Sequence, residues 1–268
     1  MTPETVLRLL QPLTDGSLAT SSVIPWSSPV PAFGAPVTAV VATLGLNPSN
    51  REFVDERGRE LVGSERRFHT LGSLGLASWA DADVSHLEMI SESCGEYFSR
   101  NPYDGWFGRL DQVISGTGAS YYNGMFRRAC HLDLIPYATA LKWSALSHRQ
   151  RLGLLASSRG SFGNLLRQSQ IRVLVLNGSS VVDYFQELTG SALVVEERND
   201  WALPRASGVG VRGVAYSGRF STLAGVPLGR EILVLGYNHN IQSSFGVTKS
   251  VIGAIREWVT TSCAGELT

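Results

Sequence analysis

Residues 37–49 read VTAVVATLGLNPS, and this stretch decides the fold. Val37–Leu44 is a near-continuous apolar run, the pattern of a strand buried on both faces. The five residues that follow, Gly45, Leu46, Asn47, Pro48 and Ser49, make a turn rich in backbone-bending and hydrogen-bonding side chains. A strand buried on both faces needs helices above and below it, which predicts a parallel sheet in an α/β protein.

Outward from this stretch, strands alternate with helices. Thr2–Gln11 reads as an amphipathic helix, with Pro3 in its first turn and Pro12 just past its end. Residues 15–36 are rich in Ser, Pro and Gly and read as a surface wrap. Residues 50–80 form a long polar segment, expected to be a functional loop with little regular structure. Asp81–Arg100 has an acidic start and helical spacing, and 101–123 reads as loops around a short helix. Ala129–Ile135 is a second strand, stopped by Pro136, and Ser147–Gln168 is a helix. Ile171–Leu176 is a third strand, leading through Asn177, Gly178, Ser179 and Ser180 into a helix that ends at Leu188. Residues 191–217 read as an inserted hairpin or extension, Glu231–Leu235 is a fourth strand, and Thr248–Thr261 closes the chain as a helix. The expected architecture is one domain over 1–268, a three-layer α/β/α sandwich around a mostly parallel four-stranded sheet. Ligands of such sheets bind outside the carboxyl ends of the strands. Those ends carry Asn47, then Asp133 and Tyr137, then Asn177, then Tyr237, Asn238, His239 and Asn240.

Composition removes several classes. Hydrophobic residues make up 43% and charged residues 17%, enough to bury a core without disulfide or metal staples. The longest apolar runs are too short to span a bilayer, and the N-terminus has no secretory pattern, so a cytoplasmic protein without a membrane partner is expected. Cys94, Cys130 and Cys263 are isolated, and the five histidines lack metal spacing, so no metal and no cofactor is expected. Net charge is zero, yet residues 134–182 hold six basic residues and no acid, a candidate phosphate-facing surface that includes Arg149 and Arg151. A solvated helix face explains the same charges.

Three motifs fail in context. Gly208, Gly210 and Gly213 match GxGxxG, but open onto a strand-like run where dinucleotide binding needs a helix N-terminus. There is no P-loop and no GxSxG elbow. Asn177-Gly178-Ser179 fits a glycosylation acceptor, which a turn explains better.

Residues 37–49 and GYNHNIQSS at 236–244 together resemble the two motifs of the uracil-DNA glycosylase superfamily. The first is a buried strand ending in Gly-x-Asn/Asp-Pro; the second is a strand followed by a loop with a histidine and an intercalating residue. HLDLIPYAT at 131–139 and VLVLNGSS at 173–180 lie between them in the same order. The usual His-Pro-Ser is His-Asn-Ile here. The resemblance implies a monomeric DNA glycosylase that flips a base from double-stranded DNA and hydrolyses its N-glycosidic bond. It implies Asn47 as the water-holding residue and His239 as a neutral donor to the departing base. Gly45, Leu46, Pro48, Ser49, Asp133, Tyr137 and Asn177 would bind the base. Phe68 would stack on it, with Phe53 and Tyr122 as competitors. Asn240, Ile241, Gln242, Ser243 and Ser244 would meet DNA, with Ile241, Gln242 or Phe245 as the wedge.

The chemistry follows from the residue types. An amide cannot remove a proton, but it can hold a water, which suffices when an oxocarbenium-like sugar forms before attack. Asp133 stands where the superfamily often has Asn. An ionised carboxylate only accepts hydrogen bonds, which suits the amino group of cytosine and repels the O4 of uracil. The expected substrate is therefore a modified cytosine, such as glucosylated 5-hydroxymethylcytosine in phage DNA, which makes the expected role anti-phage defence. Asp133 paired with Arg127 or Arg128 would read nothing. Uracil or damaged-base repair, a nucleoside- or nucleotide-processing enzyme, and a non-catalytic binder of modified DNA stay open.

Overall fold

In the computed structural model, residues 1–122, 126–205, 210–242, 244 and 246–267 are described. The elements in chain order are α1 (Pro3–Thr14), β1 (Ala32–Phe33), β2 (Val41–Gly45), α2 (Leu71–Leu74), α3 (Val84–Gly95), α4 (Asp104–Ile114) and β3 (Ala119–Ser120). There follow β4 (Arg127–Asp133), α5 (His148–Gln168), β5 (Val173–Asn177), α6 (Ser179–Thr189), β6 (Val194–Leu203), β7 (Val211–Leu223), β8 (Val226–Tyr237) and α7 (Lys249–Ser262).

The sheet has eight strands, not four. Its order is β1-β4-β2-β5-β8-β7-β6, with β3 pairing β4. The four expected strands, β4, β2, β5 and β8, form its parallel centre. Antiparallel strands flank them: β1 beside β4, and β7 and β6 beside β8. Residues 191–217 are thus an extension rather than an insertion: β6 and β7 pair antiparallel and continue the sheet as a meander into β8. Their pattern hides this: most of β6 is exposed, so it lacks a sustained apolar face.

Successive residues of the central strands feed two cores, as the period-two pleat requires. Leu174 and Leu176 pack with Leu154, Phe162 and Phe185 of α5 and α6. Val173 and Val175 pack with Phe107, Val113 and Ile255 of α4 and α7. Helix boundaries follow their caps. Ser147 and Gln150 form a reciprocal capping box at the start of α5, and Thr248 accepts from the Val251 N–H at the start of α7.

Other boundaries move. β2 begins at Val41, four residues after the apolar run does. α1 continues past Pro12 to Thr14. The wrap at 15–36 is not confined to the surface: Ser27, Ser28, Val30 and Phe33 are buried. Its backbone is held by the segment after β4, with Ile24 N–H donating to Ala138 O and Val30 N–H to Pro136 O. The loop at 50–80 contains the 3-10 turns Asn50–Glu52, Gly63–Glu65 and Trp79–Asp81 besides α2. Among the described residues, no helix is long and apolar enough to cross a membrane.

Candidate functional site at the carboxyl edge of the sheet

A cavity of about 890 Å³ opens at the carboxyl ends of β2, β5 and β8. Its size suits a nucleotide-sized ligand. Gly45, Leu46, Asn47, Pro48 and Ser49 line one side, and Asn177, Gly178, Ser179 and Ser180 line another. Asn238, Asn240 and Ser244 approach from beyond β8, and residues 139–144 and 50–51 complete the walls. Two turns far apart in sequence therefore meet where a parallel sheet places its ligands.

Asn47 is held through its amide nitrogen. Nδ2 lies 3.1 Å from the Pro48 carbonyl, 3.1 Å from Thr139 Oγ1 and 3.4 Å from the Tyr137 carbonyl. These acceptors fix which end of the amide is nitrogen. Oδ1 has no hydrogen-bond partner among the described residues, so it is left to accept from a ligand or water.

The turn after β5 approaches the loop after β8. Gly178 has φ +99°, and a Cβ there would lie 3.3 Å from the Asn240 backbone, so glycine fits both the conformation and the space. Asn177 joins the two turns by donating to Gln242 Oε1 at 2.8 Å. α6 starts without a side-chain cap, and Ser179, Ser180 and Val181 of its first turn line the cavity. A helix N-terminus facing a cavity favours an anion. Asn238 is already committed: its amide accepts from Val214 N–H and donates to Arg212 O.

Several expected site residues lie elsewhere. His239 is 2% exposed and does not line the cavity; its Nε2 is 2.7 Å from the Trp201 carbonyl on β6. Burial lowers its pKa, and that hydrogen bond opposes part of the shift. Phe68 is sealed in an aromatic cluster, stacked on Tyr97 at 5.2 Å, and Phe53 is equally buried beside it. Tyr122 is exposed but flanks a separate cleft. Tyr137 is buried on the far side, where its hydroxyl donates to Leu9 O. Ile241 is fully buried, with its carbonyl taken by Arg109, so it is no exposed wedge. Gln242 is tied to Asn177 and to the Trp106 carbonyl. Arg151 is spent on Leu146 O and the Tyr184 hydroxyl, and Arg149 is exposed on α5, away from the cavity. Ser243, Phe245 and Gly208 lie outside the described residues. Gly213 falls within strand β7, which removes the dinucleotide motif.

Asp133 does not line the cavity. It sits behind Gly45, 5% exposed, with Oδ1 3.4 Å from Nε2 of His131 rather than paired with Arg127 or Arg128. Nδ1 of His131 in turn meets Thr43 Oγ1 at 2.6 Å, and Thr43 meets the Tyr121 hydroxyl. Burial raises the Asp133 pKa, and the bond to His131 only partly offsets it.

Of the rings and cations that do line the cavity, sequence reasoning placed only Lys142, as one of the six basic residues of 134–182, and missed the others. Trp106 and Trp143 supply the aromatic surfaces, and Arg51 and Lys142 the positive charge. No periodicity marks Trp106 or Trp143; their only signal is an indole near a strand's carboxyl end. Arg51 follows a site turn closely enough to have been a candidate on charge alone. No family model matches the chain, and no curated protein matches it significantly.

Proposed function

We propose that the chain is a monofunctional DNA N-glycosylase that hydrolyses the bond between deoxyribose and a modified base. The observation that carries this reading is the Asn47 amide, held through its nitrogen with Oδ1 unclaimed, in a nucleotide-sized cavity. An amide oxygen so fixed accepts a hydrogen bond from water and orients it without taking its proton. That is enough for a sugar centre that has already gained oxocarbenium character. The departing base carries negative charge and takes up the proton that the attacking water loses; Arg51 and Lys142 line the cavity and favour that charge, while Asp55 and Glu56 line it too and offset part of their field. His239 takes no direct part. The Asp133 carboxylate is buried beside His131 and does not line the cavity, so the preference for a cytosine-derived base is carried by the resemblance alone. The cavity volume leaves room for a bulky substituent such as the glucosyl group of phage cytosine, and defence against such DNA is the role proposed.

One observation favours a second reading, an enzyme acting on free nucleosides or nucleotides. The loop after β8 is tied down at Ile241 and Gln242, which leaves no described apolar wedge to enter a duplex. A panel of DNAs containing uracil, cytosine and modified cytosines, run beside the matching nucleosides and assayed for released base, separates the two. Release from modified-cytosine DNA supports the glycosylase. Release only from nucleosides supports the alternative, and binding without release supports a modified-DNA reader.

A further inference from the structure

Behind the cavity lies a set of polar groups that this chemistry does not use. Glu52 ends the 3-10 turn Asn50–Glu52 and is 4% exposed. Its Oε2 accepts from the Tyr97 hydroxyl at 2.9 Å, and that hydroxyl accepts from the Tyr103 N–H at 3.0 Å. Nε of Arg67 lies 3.8 Å from Glu52 Oε2. The same guanidinium donates to the Arg51 carbonyl at 2.7 Å and to the Asn101 carbonyl at 2.8 Å, and covers the Tyr103 ring. One carboxylate and one guanidinium thus tie the segment after the Asn47 turn to the segment that leads into α4. Both ties end at the cavity: Arg51 lines it directly, and Trp106 lines it from the first turn of α4.

Apolar packing would hold two loops together at lower cost than a buried ion pair, whose desolvation offsets much of its attraction. A planar guanidinium that engages two carbonyls at once does something packing does not: it fixes their relative position. We propose that Glu52, Tyr97 and Arg67 form a clamp that holds segment 50–58 and the start of α4 in register as two walls of the cavity, with Glu52 and Arg67 as positioning residues. Asp133 is the other ionisable group acting on Glu52, and it opposes the charge there. Burial outweighs Arg67 and Tyr97, so the Glu52 carboxyl is pushed up to about 7. Opening the clamp hydrates Glu52 and returns it toward the ordinary carboxylate range. The closed form then holds a proton that the open form lacks, so closure strengthens as pH falls from about 7 toward that range.

Hydrogen exchange on residues 50–58 and 101–110 tests this without any substrate. Arg67→Lys loses the planar fork, and exchange should rise about tenfold in both segments together while 139–144 is unchanged. Tyr97→Phe, a milder change that keeps the ring packing, should do the same to a smaller extent. In the wild type both segments should exchange faster at pH 8 than at pH 6 once intrinsic rates are corrected, and Glu52→Gln should remove that difference. Exchange that rises in 50–58 alone, or in neither segment for both Arg67→Lys and Tyr97→Phe, overturns the clamp. A kinetic arm rests on the glycosylase reading: Arg67→Lys should raise KM about tenfold with kcat within twofold. A wild-type KM would overturn the positioning role. If the wild-type chain releases no base, that reading fails, while the exchange data still decide the clamp.

Discussion

A Cβ built on Gly45 would lie 2.4 Å from Oδ1 of Asp133 on the neighbouring strand, and 2.9 Å from Nε2 of His131. β2 and β4 pair in register at this point, Gly45 opposite Asp133. The glycine of the turn is therefore required by the buried pair beside it, and no left-handed backbone is involved. Gly45→Ala should destabilise the chain by about 1–3 kcal/mol in urea unfolding, as overpacking does. In an Asp133→Ala background the cost should shrink, because one of the two obstructing groups is gone. A cost that is the same in both backgrounds would show that the carboxylate is not the obstacle.

Glu52 makes stability depend on pH in a direction that can be worked out. Its folded value of about 7 lies above the ordinary 4.5, so the folded state binds the proton more tightly. Stability should be highest toward pH 4.5, as far as this group is concerned, and fall as pH rises to about 7. The fall should be on the order of 2–3 kcal/mol. Urea titrations across this range should show that slope in the wild type, and Glu52→Gln should flatten it. Asp133, also raised by burial, adds a slope of the same sign.

Tyr237 is fully buried, and its hydroxyl has no hydrogen-bond partner among the described residues. Such a group bears its desolvation without return, so Tyr237→Phe should be neutral or stabilising by up to about 1 kcal/mol. A loss of more than that would reveal a partner for the hydroxyl.

His239 spends its Nε2 on the Trp201 carbonyl, which ties the loop after β8 to β6. His239→Gln should lower stability by roughly 1 kcal/mol and leave base release within about threefold of the wild type. A hundredfold loss of release with intact stability would return His239 to the chemistry.

The strands of this fold that were legible share one property: burial on both faces. Val173–Leu176 and Ile232–Leu235 are apolar without interruption and Val41–Leu44 is broken only by Thr43, a pattern that a central parallel strand explains. β6 and β7 escaped because their exposed residues break the pattern, and β1 because a two-residue edge strand has none. The cavity turns were legible from their place at strand ends, so Asn47 and Asn177 were placed at the cavity, while Gly178 was read only as part of a turn. Side-chain direction was not legible. His239 sits between Asn238 and Asn240, which line the cavity, yet its ring turns toward β6, and Phe68 turns into the aromatic core. Trp106 reaches the cavity through the packing of α4, which no local pattern encodes.

The central claim is that Asn47 positions the attacking water. Abasic-site formation on modified-cytosine DNA, compared between the wild type and Asn47→Ala under single-turnover conditions, measures it directly. The expected result is abasic sites with the wild type and a rate lower by roughly a hundredfold or more with Asn47→Ala, while DNA binding and folding are retained. Equal rates for the two proteins would contradict it.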